Sequence, residues 1–356
     1  MSNNQKTETF IISGSLPVAL NALTKRIAVY SPGSCLTQKR NAIHLFNLDN
    51  PKKIVRYACG INSMDRITIS SSGQWMAAGR FSTEHWMNGL LLSLQSGQEQ
   101  RFYEGNVNVL SSIKPSGSRC VAFDPFDRFL AIAGVFGTSI KLLDVQSIIN
   151  RKPKILLTLS AELNLFTCEA LAWSPDGHLL AQQGTYTNPG FIQKWLKRGI
   201  LIWQISNNGE VVTAKHLATL EYSGTGLTSD RHQVGLAFDS KGTLLAVGGD
   251  HKDADSIKLF SLSDYRLLHT SFHLGSGVCW LDFIPDTEFL ASGSMDGVFR
   301  LWRIVNKDGN TSLTICNEIP CQGQIAGSIV GNSGKTIFVA HVADSRQIGF
   351  TSVMLP

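Results

Sequence analysis

The chain has 356 residues, of which 43% are hydrophobic and 17% charged, with a net charge of +5. That much apolar material fills a sizeable core and excludes intrinsic disorder, while so small a positive balance makes nucleic acid an unexpected partner. No run of about 18 apolar residues occurs and residues 1–8 are polar, so neither a transmembrane segment nor a secretion signal is expected. The seven cysteines (Cys35, Cys59, Cys120, Cys168, Cys279, Cys316, Cys321) form an odd set without a C-x-x-C pair. Reduced thiols in a cytoplasmic protein fit that pattern.

Residues 1–6 read as a flexible tail, and 7–13, containing Thr9-Phe10-Ile11-Ile12-Ser13, as a spare strand. A repeat then begins. An apolar residue is followed by a short turn and, seven residues on, by a second apolar residue that opens a strand: Leu20 and Ile27, Ile69 and Met76, Phe123 and Leu130, Trp173 and Leu180, Phe238 and Leu245, Phe283 and Leu290, Val330 and Ile337. The turns between them, such as Asp124-Pro125-Phe126-Asp127, Ser174-Pro175-Asp176-Gly177 and Asp239-Ser240-Lys241-Gly242, hold residues that preset φ, cap the turn or tolerate positive φ.

A third strand follows in each copy: Ile43-His44-Leu45-Phe46, Leu90-Leu91-Leu92, Ile140-Lys141-Leu142-Leu143, Ile200-Leu201-Ile202-Trp203, Ile257-Lys258-Leu259-Phe260, Phe299-Arg300-Leu301-Trp302 and Ile348-Gly349-Phe350. Alternation with one charged residue pointing outward predicts half-buried strands. Successive copies lie 45 residues apart (Phe238 to Phe283) to 65 apart (Trp173 to Phe238), which matches a four-stranded propeller blade with variable loops. The expected fold is a single domain over 7–356: an all-β, seven-bladed propeller of antiparallel blades. The last copy lacks an outer strand, which 7–13 can supply, removing an open edge.

The segment Leu290-Ala291-Ser292-Gly293-Ser294-Met295-Asp296-Gly297-Val298-Phe299-Arg300-Leu301-Trp302 resembles a WD repeat. Trp173-Ser174-Pro175-Asp176-Gly177 and Gly199-Ile200-Leu201-Ile202-Trp203 resemble pieces of the same motif, although the signature Trp-Asp dipeptide is here Trp203-Gln204 and Trp302-Arg303. The resemblance is to the WD-repeat (WD40-like) β-propeller family with degenerate repeats, and it spans nearly the whole chain. It implies a protein-binding scaffold. In the sixth copy it further implies a structural network of His273, Ser292, Asp296 and Trp302.

In such a propeller the connector between second and third strands returns to the upper face. It is lengthened in copies one, two and four, and the long interblade connector 221–233 opens on the same face. Loops on a rigid scaffold commonly carry binding. The second insertion holds Arg80, His85 and Trp86; the fourth holds Tyr186, Phe191, Lys194, Trp195 and Arg198; Tyr222 and Arg231 stand on the interblade connector. Aromatic residues beside cations are the composition of interface anchors. The expected partner is a protein or peptide within a multiprotein complex. The alternative for the fourth insertion is plain packing onto the blade rim.

A second reading takes these basic aromatic insertions as a site for an anionic partner, nucleic acid or a lipid surface. A third, a small-ligand or metal-dependent enzyme, needs convergent acids and bases around the channel. There the inner strands offer only Asp282, with Glu169 just outside and His232 as a further candidate at the channel rim. The runs His251-Lys252-Asp253-Ala254-Asp255 and Asp230-Arg231-His232 lack metal-ligand spacing. No catalytic residue, metal or cofactor is expected.

Overall fold

The seven residue pairs picked out by their spacing are cross-strand neighbours in a computed structural model of the chain. Leu20 faces Ile27, Ile69 faces Met76, Phe123 faces Leu130, Trp173 faces Leu180, Phe238 faces Leu245, Phe283 faces Leu290 and Val330 faces Ile337. The structure describes residues 9–13, 15–32, 41–58, 66–79, 89–95, 99–101, 118–134, 139–160, 164–187, 197–209, 211–222, 235–249, 255–272, 277–331, 335–344 and 347–355. The expected tail 1–6 lies outside them.

These residues form seven four-stranded antiparallel sheets arranged as a ring of blades. The inner strands are, in order, Ser15–Asn21, Arg66–Ile69, Ser118–Phe123, Asn164–Trp173, Leu236–Phe238, Val278–Phe283 and Ile325–Val330. Blades one to six are each built from consecutive strands. Blade seven takes its outer strand from the other end of the chain: Thr9–Ser13 pairs antiparallel with Gln347–Met354, Thr9 opposite Thr351 and Ser13 opposite Gln347. The third strand of that blade also runs further than its sequence pattern indicates. Val353, rather than Phe350, joins the row of Val330 and Ile337, and Phe350 pairs with Ala340, because the second and third strands form a long hairpin to Met354.

The core is divided into apolar layers between blades. Ile43 and Leu45 of blade one meet Ile67 and Met76 of blade two, and Leu142 of blade three meets Leu180 and Trp203 of blade four. The last layer closes the circle, with Phe350 and Ile348 of blade seven against Val29 and Phe46 of blade one. Each fully buried Leu, Ile or Phe in such a layer stabilises the fold by about 1.5–3 kcal/mol.

Layering between blades leaves a blade no outward face, which corrects the expectation for the third strands. Lys141, Lys258 and Arg300 are buried. The Lys258 ammonium lies 5.1 Å from the centre of the Tyr222 ring of blade four. Arg300 bonds Glu318 on the outer strand of its own blade. The long aliphatic stems of such residues pack in apolar layers while their charged ends find partners. The structure also adds a single-turn helix, Val145–Ile149, in blade three, where Asp144 accepts the amides of Gln146 and Ser147 as its N-cap. No helix among the described residues is long and apolar enough to cross a membrane.

Candidate interaction faces

Strand direction alternates within each blade. Connectors between first and second strands, and between third and fourth, therefore share one face, here the lower. Connectors between second and third strands, and between blades, share the upper face.

Several of the described lower-face connectors are tight, self-satisfied turns. In blade three Asp124 accepts the amides of Arg128 and Phe129 at 2.6 and 2.7 Å, and its second oxygen holds the Arg128 Nε at 2.9 Å. Asp239 does the same in blade five for the amides of Thr243 and Leu244. The turns then return through positive φ, at Gly73, Asp127, Gly177 and Gly242. At Gly177 this is obligatory on two counts: φ is +68°, and a Cβ would stand 3.0 Å from the Arg128 guanidinium.

Successive turns are also tied across blades. Asp127 of blade three accepts the amides of Ser71 and Ser72 of blade two at 2.7 and 3.0 Å. The Asn21 amide of blade one donates to the Ser70 carbonyl of blade two, and Lys25 donates to the Val330 carbonyl of blade seven.

At the axis, a channel cavity of about 230 Å³ is lined by inner strands of blades two to six, with Arg66, Thr68, Cys120, Ala170, Gly235 and Trp280 among its walls. Arg66 reaches past blade three to donate to the Glu169 carbonyl of blade four at 2.8 Å. A cation at the start of an inner strand, Arg66-Ile67-Thr68-Ile69, is the sequence signal for this brace; a search for carboxylates alone passes it by. Glu169 is buried. Asp282 on the inner strand of blade six keeps accessible surface yet is enclosed by protein. Desolvation pushes its carboxyl up to about 7, against a hydrogen bond from the Phe283 amide that lowers it. Burial also pushes the Cys279 thiol up to about 12. Cys120, Cys168, Cys279, Cys316 and Cys321 are free thiols. Among the described residues no group of three or more His, Cys, Asp or Glu is placed to hold a metal ion.

The residues singled out as anchors divide into two groups. Arg80, His85, Trp86, Phe191, Lys194, Trp195 and Arg231 lie outside the described residues. Tyr186, Arg198 and Tyr222 are 1%, 2% and 8% exposed. Their side chains are therefore committed to packing within the ring rather than to its outer surface. The cause is strand length: the second and third strands of blade four extend to Thr187 and start at Lys197, so these positions are strand residues instead of loop residues. Tyr222 bonds Gln183 at 2.9 Å under Lys258. The Tyr186 hydroxyl is raised by burial and by the Glu221 carboxylate beside it.

Of the expected network in blade six, the Trp302 indole donates to the Ser292 hydroxyl at 2.8 Å in a buried setting. Asp296 caps its own turn, bonding Ser294 and accepting the Val298 amide. His273 lies outside the described residues.

A family model described as WD domain, G-beta repeat matches residues 266–303. That span holds the outer strand of blade five, Leu267–Phe272, the first two strands of blade six and the start of its third, Val298–Lys307, so this repeat straddles blades five and six. A chain in a crystal structure of the mitotic checkpoint complex is similar in fold, with a TM-score of 0.67 and 16% sequence identity, the match covering 100% of this chain and 95% of that one.

Proposed function

Starting from a seven-bladed β-propeller that carries a WD repeat, we propose that the chain is a non-catalytic scaffold or adaptor, holding a protein or peptide on its upper face as a subunit of a multiprotein complex. The observation that carries this reading is that the described lower-face turns consume their own polar groups, which leaves the other face for docking. Lower connectors such as 70–74, 124–128 and 239–243 are short turns whose polar groups are consumed internally. At the upper face the strands Trp75–Gly79, Leu179–Thr187 and Val212–Tyr222 end, and the residues that follow them in sequence are the ones assigned to docking in this proposal.

A ring braced between blades offers such connectors a preformed platform, which reduces the ordering cost of binding. The fold of the checkpoint-complex chain supports the reading by likeness of architecture. The free thiols support placing its work in the reducing cytoplasm.

The test replaces Trp86 and Trp195 by Ala together, two aromatic residues on separate upper connectors. Affinity purification from the native host with quantitative mass spectrometry should show specific partners lost from the variant, at an unchanged melting temperature. An identical partner set overturns the proposal. Partners that leave as salt rises through about 0.1–0.5 M would point instead to an anionic ligand.

A further inference from the structure

The outer hairpin of blade four carries a reactive pair of residues. Its strands, Lys197–Asn207 and Val212–Tyr222, stay paired as far as Asn207 opposite Val212, and Asn208 and Gly209 stand in the connector beyond them on the lower face. Among the described residues Asn208 is the one asparagine followed by glycine. Asn207, Asn208 and Gly209 are all exposed. The backbone nitrogen after an asparagine can attack the side-chain carbon and close a cyclic imide, a step favoured because both groups belong to one short stretch of chain. A side chain on the following residue shields that nitrogen, and glycine has none.

The local geometry leaves the attack open. Gly209 has a φ of +88°, and a Cβ placed there would meet nothing within 4 Å. Asn208 Oδ1 accepts the Val211 amide at 2.8 Å, so the carboxamide is folded forward along the chain and has a donor on the oxygen where negative charge builds as its carbon is attacked. The Gly209 N–H, whose proton must leave, points at Asn207 Oδ1 at 2.9 Å. Turning the Asn208 peptide for closure breaks no strand pair. It sacrifices the bond from the Asn208 amide to the Val211 carbonyl, which is long at 3.4 Å. Asn21 and Asn47, by contrast, donate their side-chain amides to the Ser70 and Thr24 carbonyls, and an alanine and a leucine follow them.

We propose that Asn208-Gly209 is a self-modification site, at which the lower face of blade four acquires a carboxylate as the protein ages. The Gly209 nitrogen bonds Asn208 Cγ, the Cγ–Nδ2 bond breaks, and the side-chain nitrogen leaves as ammonia with the Gly209 proton. Water then opens the imide. Attack at Cγ gives aspartate; attack at the backbone carbonyl carbon gives isoaspartate, with the chain running through the side chain. Both replace a neutral side chain by a charged one, and isoaspartate inserts an extra backbone carbon into the hairpin.

The test keeps the full-length chain at physiological temperature and pH, digests samples with trypsin at intervals, and follows the peptide 199–215 by chromatography and mass spectrometry. The expected result is a steady gain of aspartate and isoaspartate forms at Asn208, at a rate within about tenfold of that of the free synthetic peptide. Hydroxylamine, which attacks the imide, should cut the folded chain between Asn208 and Gly209. Gly209→Ala should slow the reaction by about tenfold. No product at Asn208, or an earlier product at another asparagine, overturns the proposal. So does aspartate without isoaspartate, which signals direct hydrolysis with no ring. A folded chain slower than the peptide by more than about tenfold shows that the hairpin protects the pair, and overturns it as well; an unchanged rate in Gly209→Ala does the same.

Discussion

Two tryptophans at matching positions sit in unequal surroundings. Trp302 faces Leu290 across its sheet, and two residues along from Leu290 the Ser292 hydroxyl accepts the indole N–H. Trp203 faces Leu180, but two residues along stands Gln182. Among the described residues neither the Gln182 amide nor the Trp203 indole N–H has a hydrogen-bond partner, and both are buried. Ser292→Ala strands a buried donor and should cost about 1–3 kcal/mol in a denaturant melt. Gln182→Leu removes polar atoms that are already unpaired, and should leave stability unchanged or raise it. Equal losses in the two variants would contradict this account.

Asp282 gives the chain a pH dependence of definite sign. Desolvation pushes its carboxyl up to about 7 in the folded protein, against about 3.9 for an unfolded aspartate. The folded state therefore holds this proton more tightly. The associated stability is complete at low pH and is lost as pH rises through about 7. Asp282→Asn removes the dependence, so its melting temperature should gain on that of the unaltered chain between pH 5 and pH 8. A constant difference over that range would show that this carboxyl is ordinarily solvated.

At the scale of the elements, the lower-face turns are the joints of the ring, and Asp127 is the clearest of them. It adopts a φ of +57°, which disfavours most side chains, and bonds two amides of the neighbouring blade. Asp127→Gly relieves the backbone while deleting the clasp. A net loss of about 1 kcal/mol in a thermal or denaturant melt is expected; a gain would mean that the clasp contributes nothing. None of this is readable from the turn sequence. Asp124-Pro125-Phe126-Asp127 announces a turn, but the partner of Asp127 lies a whole blade away. The same holds for Lys258, whose alternation in Ile257-Lys258-Leu259-Phe260 predicts an outward cation. Alternation identifies two faces of a strand without revealing that a propeller buries both. Tyr186 and Arg198 were misassigned to a loop because aromatic and basic residues serve equally well in a long strand pair.

For the whole molecule, the repeat was fully legible. A constant offset of seven residues is the length of a strand end, a tight turn and a strand start, and every one of the seven pairs is in register. Blade closure was legible too, because Thr9-Phe10-Ile11-Ile12-Ser13 had no partner in its own repeat while the last repeat lacked an outer strand. Less legible was the brace of Arg66, which arises only when distant copies meet around an axis. The proposed docking surface requires that the ring be closed, since an open ring would let the blades move apart and disperse the connectors. Closure rests on Ser13 standing opposite Gln347 in the sheet of blade seven. The most direct test introduces Ser13→Cys and Gln347→Cys, with Cys316→Ser to remove an exposed thiol, and oxidises the purified protein. A near-complete intramolecular disulfide and a raised melting temperature are predicted; failure to form it, or formation only between molecules, would contradict the closed propeller.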